Sequence, residues 1–321
     1  MIKRAAYIIL TSAVLCFVAA KVFDHGLKKY YQYTFKKLDH ILTNNEHHDV
    51  LLLGNSFMYY GINPAVIDPA TGYNSFNAGL GGAELPELKF LLDSYLKQHT
   101  PPRYLFLQLH YSSLDHSNLE NLVYYSYYKW GPELPALMKL NGMDTAYLRR
   151  FVPFNRFTYF NDYIRTKTIH GMLGNDQGGP GCFYYKGFLK RKADTTVLFS
   201  ALKTETAVSK TPSADSSLKR SKIILKEIYD KCMKSGIQLV IIHPPQPLTK
   251  EKREKASSLF SELVRSALPG KTTLLDYSTD STLCQPAFFL DETHLNKKGS
   301  EVFSLRVAQD FNNTFQTEKD K

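Results

Sequence analysis

Three polar residues, one in the first part of the chain and two near its end, have the types and spacing needed for acyl-transfer chemistry. Ser56 closes the triplet Gly54-Asn55-Ser56 directly after an apolar run, where a serine is either a turn residue or a nucleophile. Asp291 and His294 stand three positions apart, a spacing that shares one face of a helical turn. An aspartate can hold an imidazole in one tautomer, which leaves the other ring nitrogen free to accept a serine proton. These side chains predict a Ser–His–Asp triad if the fold brings them together.

Each of these residues also has a purely structural interpretation. Gly, Asn and Ser commonly end strands and form turns, so Ser56 suits a turn. Asp291 suits the N-cap of a final helix, with His294 on the surface of its first turn. The glycines of "NAGLGGA", residues 77–83, suit a tight loop. The functional interpretation therefore depends on where the surrounding elements place these residues.

The elements that must position the triad are short apolar strands that alternate with helices. We predict strands at residues 50–53, 75–78, 104–109, 237–242 and 272–275, and helices at residues 84–97, 217–234, 250–267 and 297–311. This alternation predicts an α/β fold, a three-layer α/β/α sandwich with a five-stranded parallel sheet. Ligands bind beyond the carboxyl ends of the strands in such sheets, and Ser56 follows the first strand.

In their order along the chain, these motifs resemble the SGNH (GDSL-type) hydrolase superfamily, whose fold is flavodoxin-like. The triplet ending at Ser56 matches the nucleophile block, with Asn in place of the usual Asp. Asn77 and Gly82 of "NAGLGGA" match the second block, and Asp291 to His294 match the last in type, spacing and position. The resemblance implies that Ser56 attacks an ester carbonyl, His294 takes the proton and Asp291 orients His294. It also implies that the amides of Ser56 and Gly82 hold the oxyanion, with no metal or cofactor.

One block of the family is missing. The family has Gly-x-Asn-Asp after strand three, whose Asn is a second oxyanion donor, whereas here that strand runs into "HYSSLDHSN". Asn175 in "LGND" is one substitute, although it lies far into an insertion; His110 and Ser112 are others. The resemblance covers residues 48–110 and 217–312, and the identity of this donor stays open.

The domain organisation follows from the same patterns. We predict a membrane or signal segment at residues 1–23, a juxtamembrane lead-in at 24–47, and an SGNH-like domain at 48–321 with an aromatic-rich insertion at 111–215. Residues 5–20 contain no charge and follow a basic N-terminus, which fits a spanning helix of about 20 residues with its N-terminus in the cytoplasm. We favour an uncleaved anchor over a signal peptide cut after Ala20. Either outcome places the remaining chain outside the cytoplasm, in the periplasm or at the cell surface.

The net charge indicates which classes of partner to expect, and the cysteines limit the possible zinc sites and disulfides. The chain of 321 residues has 40 basic and 30 acidic side chains, a net charge of +10. Such a charge is typical of nucleic-acid binding, but an exported chain favours anionic lipid headgroups or an acidic glycan. Cys182, Cys232 and Cys284 have no spacing typical of zinc sites and allow at most one disulfide.

The expected function is serine-dependent hydrolysis of acyl esters on a cell-envelope glycan or related polymer. Hydrolysis and transfer differ only in whether water or a sugar hydroxyl resolves the acyl-enzyme. An O-acyltransferase acting on an extracytoplasmic polysaccharide is therefore an alternative; relatives in the superfamily include polysaccharide O-acetyltransferases and the D-alanyl-transfer protein of teichoic acid modification. A non-catalytic glycan-binding protein with envelope-polysaccharide assembly partners is a third possibility, which the missing block favours.

Overall fold

The computed structural model describes residues 2–110, 121–128, 133–140, 162–179, 182–190, 215–270 and 272–315. The chain forms two compact units. The N-terminal unit comprises Met1–Lys36 and Glu120–Gly179, and the sheet unit comprises Lys37–Leu119 and Pro180–Lys321. The predicted insertion is therefore divided between the two units, and much of it lies outside the described residues.

A five-stranded parallel sheet forms the centre of the sheet unit, as the sequence predicts. Its strands are β1 (Val50–Leu53), β2 (Ser75–Asn77), β3 (Tyr104–Gln108), β6 (Gln238–His243) and β7 (Thr273–Asp276), in the order β2-β1-β3-β6-β7. A separate antiparallel hairpin consists of β4 (Phe183–Tyr185) and β5 (Phe188–Lys190). All residues of β1 and β3 are buried, which explains why these strands are apolar on both faces.

Helices connect the strands. In chain order they are α1 (Ile2–Tyr30), α2 (Gln32–Thr43), α3 (Ser56–Gly61), α4 (Pro64–Thr71), α5 (Leu85–Gln98), α6 (Leu122–Tyr125), α7 (Glu133–Leu140), α8 (Asp162–Met172), α9 (Asp215–Lys234), α10 (Lys250–Ala267) and α11 (Lys297–Phe315). The four predicted helices correspond to α5, α9, α10 and α11 within a few residues. The predicted lead-in at 24–47 is the end of α1 followed by α2.

Helices α3 and α4 were not predicted from the sequence, although each has a clear local cause. The side chain of Asn55 accepts a hydrogen bond from the Phe57 amide at 3.0 Å, and so caps α3. Asn63 caps α4 in the same way through the Ala65 amide at 3.0 Å, and Pro64 occupies the first helical position, where no amide is needed. Two asparagine caps close together in the chain thus start two short helices.

One face of the sheet packs on helices that adjoin the candidate triad residues. Alternate residues of the strands share this face, as a period of two requires. The buried cluster includes Leu52, Phe106, Val240 and Ile242 from the sheet, Met58 from α3, and Phe303, Val307 and Phe311 from α11. The helix that begins at Ser56 and the helix that follows His294 are therefore held by one apolar core.

The turn of the β4–β5 hairpin contacts the last residue of β2. The Asn77 amide donates a hydrogen bond to the Lys186 carbonyl at 2.8 Å. Gly187 has a φ of +83°, and a Cβ atom there would lie 1.9 Å from the Asn77 carbonyl oxygen. Only glycine fits this turn, because any side chain would collide with the backbone of β2.

Substitution of Gly187 tests this contact. Gly187→Ala should destabilise the sheet unit by about 1–3 kcal/mol more than Gly72→Ala, because it adds a backbone clash to the cost of a positive φ. Gly72 is the matched control, since its φ is +75° and a Cβ atom added there would meet no other atom within 4 Å. Thermal unfolding of both variants compares them, and equal melting temperatures would show that the hairpin is not docked on β2.

Helix α1 is long enough and apolar enough to cross a membrane, properties that a signal sequence near the N-terminus shares. It continues without interruption through Ala20 to Tyr30, beyond the predicted segment of residues 1–23. Most of its apolar side chains are exposed, including Ile8, Ile9 and Leu10. Within the described residues, no other helix meets the same criteria.

Candidate active site

Ser56 is the first residue of α3 and is partly exposed. It lies two residues beyond the buried Gly54, which follows the last residue of β1. The amides in the first turn of a helix have no partner within that helix. Among the described residues, no hydrogen bond is made by the Ser56 amide or by its Oγ atom. Both groups are therefore available to a bound molecule.

The turn that carries Ser56 is packed tightly against β3. A Cβ atom on Gly54 would lie 2.8 Å from the Cβ atoms of Gln108 and Met58, so this position admits no side chain. The Asn55 amide donates to Gln108 Oε1 at 3.1 Å. The last residue of β3 thus fixes the backbone immediately before Ser56.

Asp291 and His294 are paired as the sequence predicts. His294 Nδ1 lies 2.8 Å from Asp291 Oδ2, and Asp291 Oδ1 accepts the amides of Thr293 and His294 at 2.9 and 2.8 Å. The pair lies in an aspartate-stabilised turn rather than on a helix. Asp291 does not cap α11, because Asn296 Oδ1 accepts the Gly299 amide at 2.9 Å at that helix start. The structural interpretation of Asp291 as a helix cap is therefore wrong.

The electrostatics of the pair favour an ionised aspartate that orients the imidazole. Burial alone would raise the pKa of the Asp291 carboxyl, but hydrogen bonds from the His294 ring and from two amides hold that pKa well below its usual range. A carboxylate only accepts hydrogen bonds, so His294 Nδ1 carries the proton. Among the described residues, no hydrogen bond engages His294 Nε2. That nitrogen is the one a general base would use.

The His294 ring lies beside α3. Its centroid is 6.2 Å from the Phe57 ring and 5.4 Å from the Tyr60 ring. It also lines a pocket together with Tyr60, Phe188, Leu189 and Lys190. The described residues show no hydrogen bond between Ser56 and His294, and catalytic hydrogen bonds are often long before substrate binds. The structure thus brings the Asp291–His294 pair to the helix that Ser56 begins.

The loop after β2 adjoins the same turn. The Leu80 amide donates to the Gly54 carbonyl at 2.9 Å, and the Ala83 amide donates to the Leu80 carbonyl at 3.1 Å. Gly82 occupies the third position of this exposed turn with a φ of +70°, which a glycine adopts without strain. The loop is tied to the backbone beside Ser56 through Leu80.

Asn77 is fully buried and holds this loop to α3. Its Nδ2 atom donates to the carbonyls of Met58 and Ile62, both at 2.7 Å, and its Oδ1 atom accepts the Gly79 amide at 2.9 Å. These side-chain hydrogen bonds all reach backbone groups, so they fix the path of the chain on both sides of β2. Asn77 is a positioning residue for the loop.

Lys37 is a buried basic residue that sequence analysis did not identify as part of the site. Its Nζ atom donates to the Gly79 carbonyl and lies 3.4 Å from the centroid of the Tyr59 ring. Burial lowers the pKa of Lys37 well below its usual value. The Lys37 amine therefore contacts the loop that carries Gly82 and fixes the backbone of Gly79, the first glycine of that loop.

The three sequence candidates for the missing oxyanion donor have different positions. His110 follows β3, with its ring 4.6 Å from that of Phe57, and burial together with the nearby His243 lowers its pKa to about 4. Ser112 lies outside the described residues. Asn175 belongs to the N-terminal unit, where its amide donates to the His170 carbonyl at the end of α8.

Sequence reasoning missed Gln108, whose buried Nε2 atom has no hydrogen-bond partner in the described structure.

A second histidine–aspartate pair lies at the same edge of the sheet. His243 Nδ1, at the end of β6, is 3.0 Å from Asp276 Oδ1, at the end of β7. Burial would raise the pKa of Asp276, but His243, Ser257 and Ser278 lower it well below its usual range. His243 is only 1% exposed and its ring stacks on Phe260 at 4.1 Å. This pair is packed into the core, unlike His294.

No family model matches the sequence, and no curated protein matches it. The SGNH resemblance therefore rests on the residues and the geometry described above.

Proposed function

We propose that the chain is a serine-dependent acyl-ester hydrolase of the SGNH type. The observation that carries the proposal is the Asp291–His294 pair, with an unengaged Nε2 atom, beside the helix that Ser56 begins. The order of strands adds support, since β1 lies inside the sheet and its carboxyl end leads directly to Ser56.

The proposed mechanism assigns a role to each residue of the triad. Ser56 Oγ attacks the ester carbonyl while His294 Nε2 accepts its proton, and Asp291 stabilises the resulting imidazolium. His294 then donates the proton to the leaving alcohol, which leaves the acyl-serine. Water, activated by the same imidazole, hydrolyses the acyl-enzyme.

The oxyanion would be held by backbone amides. The Ser56 amide has no partner among the described residues, and Gly82 lies in a loop bonded to the same turn. Removal of one oxyanion donor typically costs about 100- to 1000-fold in rate, so a site with only these two amides would turn over slowly. Slow hydrolysis of small esters is part of the proposal.

An acylated envelope glycan is the substrate class that fits best. An N-terminal helix with membrane-spanning length and +10 net charge suit an exported protein near anionic surfaces. O-acyl transfer to a glycan is the second candidate. The partly exposed Tyr60, whose ring lies 5.4 Å from that of His294, favours it, because an aromatic ring offers a stacking face to a sugar acceptor.

Covalent labelling tests the proposal. The full-length protein in mild detergent should react with a fluorophosphonate probe, and peptide mapping should locate the adduct at Ser56. It should also release acetate from an aryl acetate. Absence of both the label and the hydrolysis would make the non-catalytic, glycan-binding interpretation the better one.

Product analysis separates hydrolysis from transfer. With candidate oligosaccharides present, a transferase should yield acylated glycan and release its acyl group faster, because a bound acceptor has a high effective concentration near the acyl-serine. If every acceptor leaves rate and products unchanged while acylated glycan is hydrolysed, the hydrolase is the correct assignment. Mass spectrometry of the glycan distinguishes these outcomes.

Membrane fractionation tests the proposed location. The full-length protein should remain with membranes through high-salt and carbonate washes, because most apolar side chains of α1 are exposed and would be covered by lipid. Its C-terminus should be cleaved by protease added from outside the inner membrane. Release by salt alone would contradict the anchor, and a mature N-terminus at Lys21 would show cleavage instead.

A further inference from the structure

Three histidines of the sheet unit form a cluster away from the candidate triad. His40 lies near the end of α2, His48 lies two residues before β1, and His99 directly follows α5. One ring nitrogen from each lies within 4.8 Å of the others. Because β1 begins just after His48, the cluster is at the opposite end of the sheet from Ser56.

The spacing of the three rings is close to that of a metal site. Zinc binds imidazole nitrogens at about 2.0–2.1 Å in tetrahedral geometry, which places the ring centroids of three ligands about 5 Å apart. The centroids lie 5.0 Å apart for His40 and His48, 5.5 Å for His40 and His99, and 6.3 Å for His48 and His99. Shifts of about 1 Å would complete the geometry.

One ring is already oriented as metal ligands commonly are, and a second has a buried ring nitrogen without a hydrogen-bond partner in the described structure. A metal-bound histidine usually engages its other ring nitrogen in a hydrogen bond, which fixes the ring. His48 Nδ1 lies 3.1 Å from the Tyr95 hydroxyl. His40 is stacked on Phe76 at 4.0 Å, and its buried Nε2 atom has no hydrogen-bond partner within the described structure.

The third ring has a conflict that coordination would remove. His99 Nδ1 and Nε2 each lie 3.0 Å from a carbonyl oxygen, that of Glu46 and that of His40 respectively. Both partners are acceptors, so a neutral ring must point one lone pair at a carbonyl oxygen. If Nδ1 keeps its proton for the Glu46 carbonyl, the Nε2 lone pair faces the His40 carbonyl, and a rotation of the ring away from that oxygen would direct the lone pair to a metal. Glu46 Oε1 lies 3.9 Å from His40 Nδ1, the ring nitrogen other than the one that would face the ion, so it would orient His40 rather than bind the metal.

We propose that His40, His48 and His99 bind one divalent transition-metal ion, zinc by preference. Imidazole ligands suit zinc better than they suit magnesium or calcium. Such an ion would tie the end of α2, the lead-in to β1 and the end of α5 together, which is a structural role. The proposal is independent of the serine chemistry, because the ligands share no residue with that site.

Metal content and thermal stability test the proposal directly. Full-length protein without a histidine tag, purified in detergent and stripped with chelator, is dialysed against Zn²⁺ or Mg²⁺. We expect one zinc per chain by elemental mass spectrometry, and a melting temperature that rises with zinc and not with magnesium. Failure to retain zinc at one equivalent would overturn the proposal.

Matched variants locate the ion. His48→Gln and His40→Gln should lose the bound zinc and the zinc-dependent rise in melting temperature, while His47→Gln should keep both. His47 is adjacent in sequence but its side chain is 58% exposed and lies outside the cluster. Equal losses in His47→Gln and His48→Gln would contradict the assignment. If the cluster variants fail to fold, the unaltered protein is loaded with Co²⁺ instead and its visible absorption is measured. Intense absorption would support a site of low coordination number. A weak spectrum like that of the hydrated ion would contradict the proposal.

Discussion

Ser56→Ala is expected to abolish fluorophosphonate labelling and to lower the kcat of ester hydrolysis by about 10⁴-fold or more. The substitution removes the atom that forms the covalent intermediate, and alanine offers no group that could replace it. The fold should be unaffected, because Ser56 is partly exposed and its Oγ atom makes no hydrogen bond among the described residues. The melting temperature should therefore equal that of the unaltered protein.

Ser235→Ala is the matched control for this change. Ser235 is also partly exposed, but it lies in the turn between α9 and β6, at the end of the sheet opposite Ser56. It should retain full labelling and full activity. If the Ser56→Ala protein is still labelled at another serine, the nucleophile lies elsewhere. If its melting temperature falls by many degrees, the loss of activity would indicate only a structural role for Ser56.

The parallel sheet was predictable from sequence because its strands are buried on both faces. Runs such as Val50–Leu53 and Tyr104–Gln108 are nearly free of polar residues, and turns or helix signals bound them. The Asp291–His294 pair was predictable for a local reason, since three residues of separation permit the contact in any tight turn. The expected helical setting was wrong, because Asp291 accepts the amides of its own turn instead.

What sequence reasoning missed depends on short elements and on contacts between distant segments. The β4–β5 hairpin lies in an aromatic-rich stretch without alternation, and its position is fixed by Gly187 against the distant Asn77. Helices α3 and α4 have six and eight residues, too few for a periodic signal. The cluster of His40, His48 and His99 has no motif spacing, because three different segments supply its members.

The two histidine–aspartate pairs are alternative candidates for the general base. Both lie at the carboxyl edge of the sheet unit, and both aspartates are held anionic by their hydrogen bonds. The His294 side chain is 21% exposed and lines a pocket, whereas the His243 side chain is 1% exposed and stacked in the core. A general base must reach the substrate, which favours His294.

His294→Gln should therefore lower kcat by about 10³-fold or more, because glutamine cannot accept the serine proton. The double variant with Ser56→Ala should be no worse than Ser56→Ala alone, since residues that act as a unit are not additive. His243→Gln, which disturbs a buried pair, should lower the melting temperature by several degrees, yet leave kcat per folded molecule within about 10-fold. Steady-state hydrolysis, normalised to the folded fraction from near-UV circular dichroism, measures this contrast. If His243→Gln eliminates turnover in folded protein while His294→Gln retains it, the base is His243, and the mechanism passes through the pair at the ends of β6 and β7.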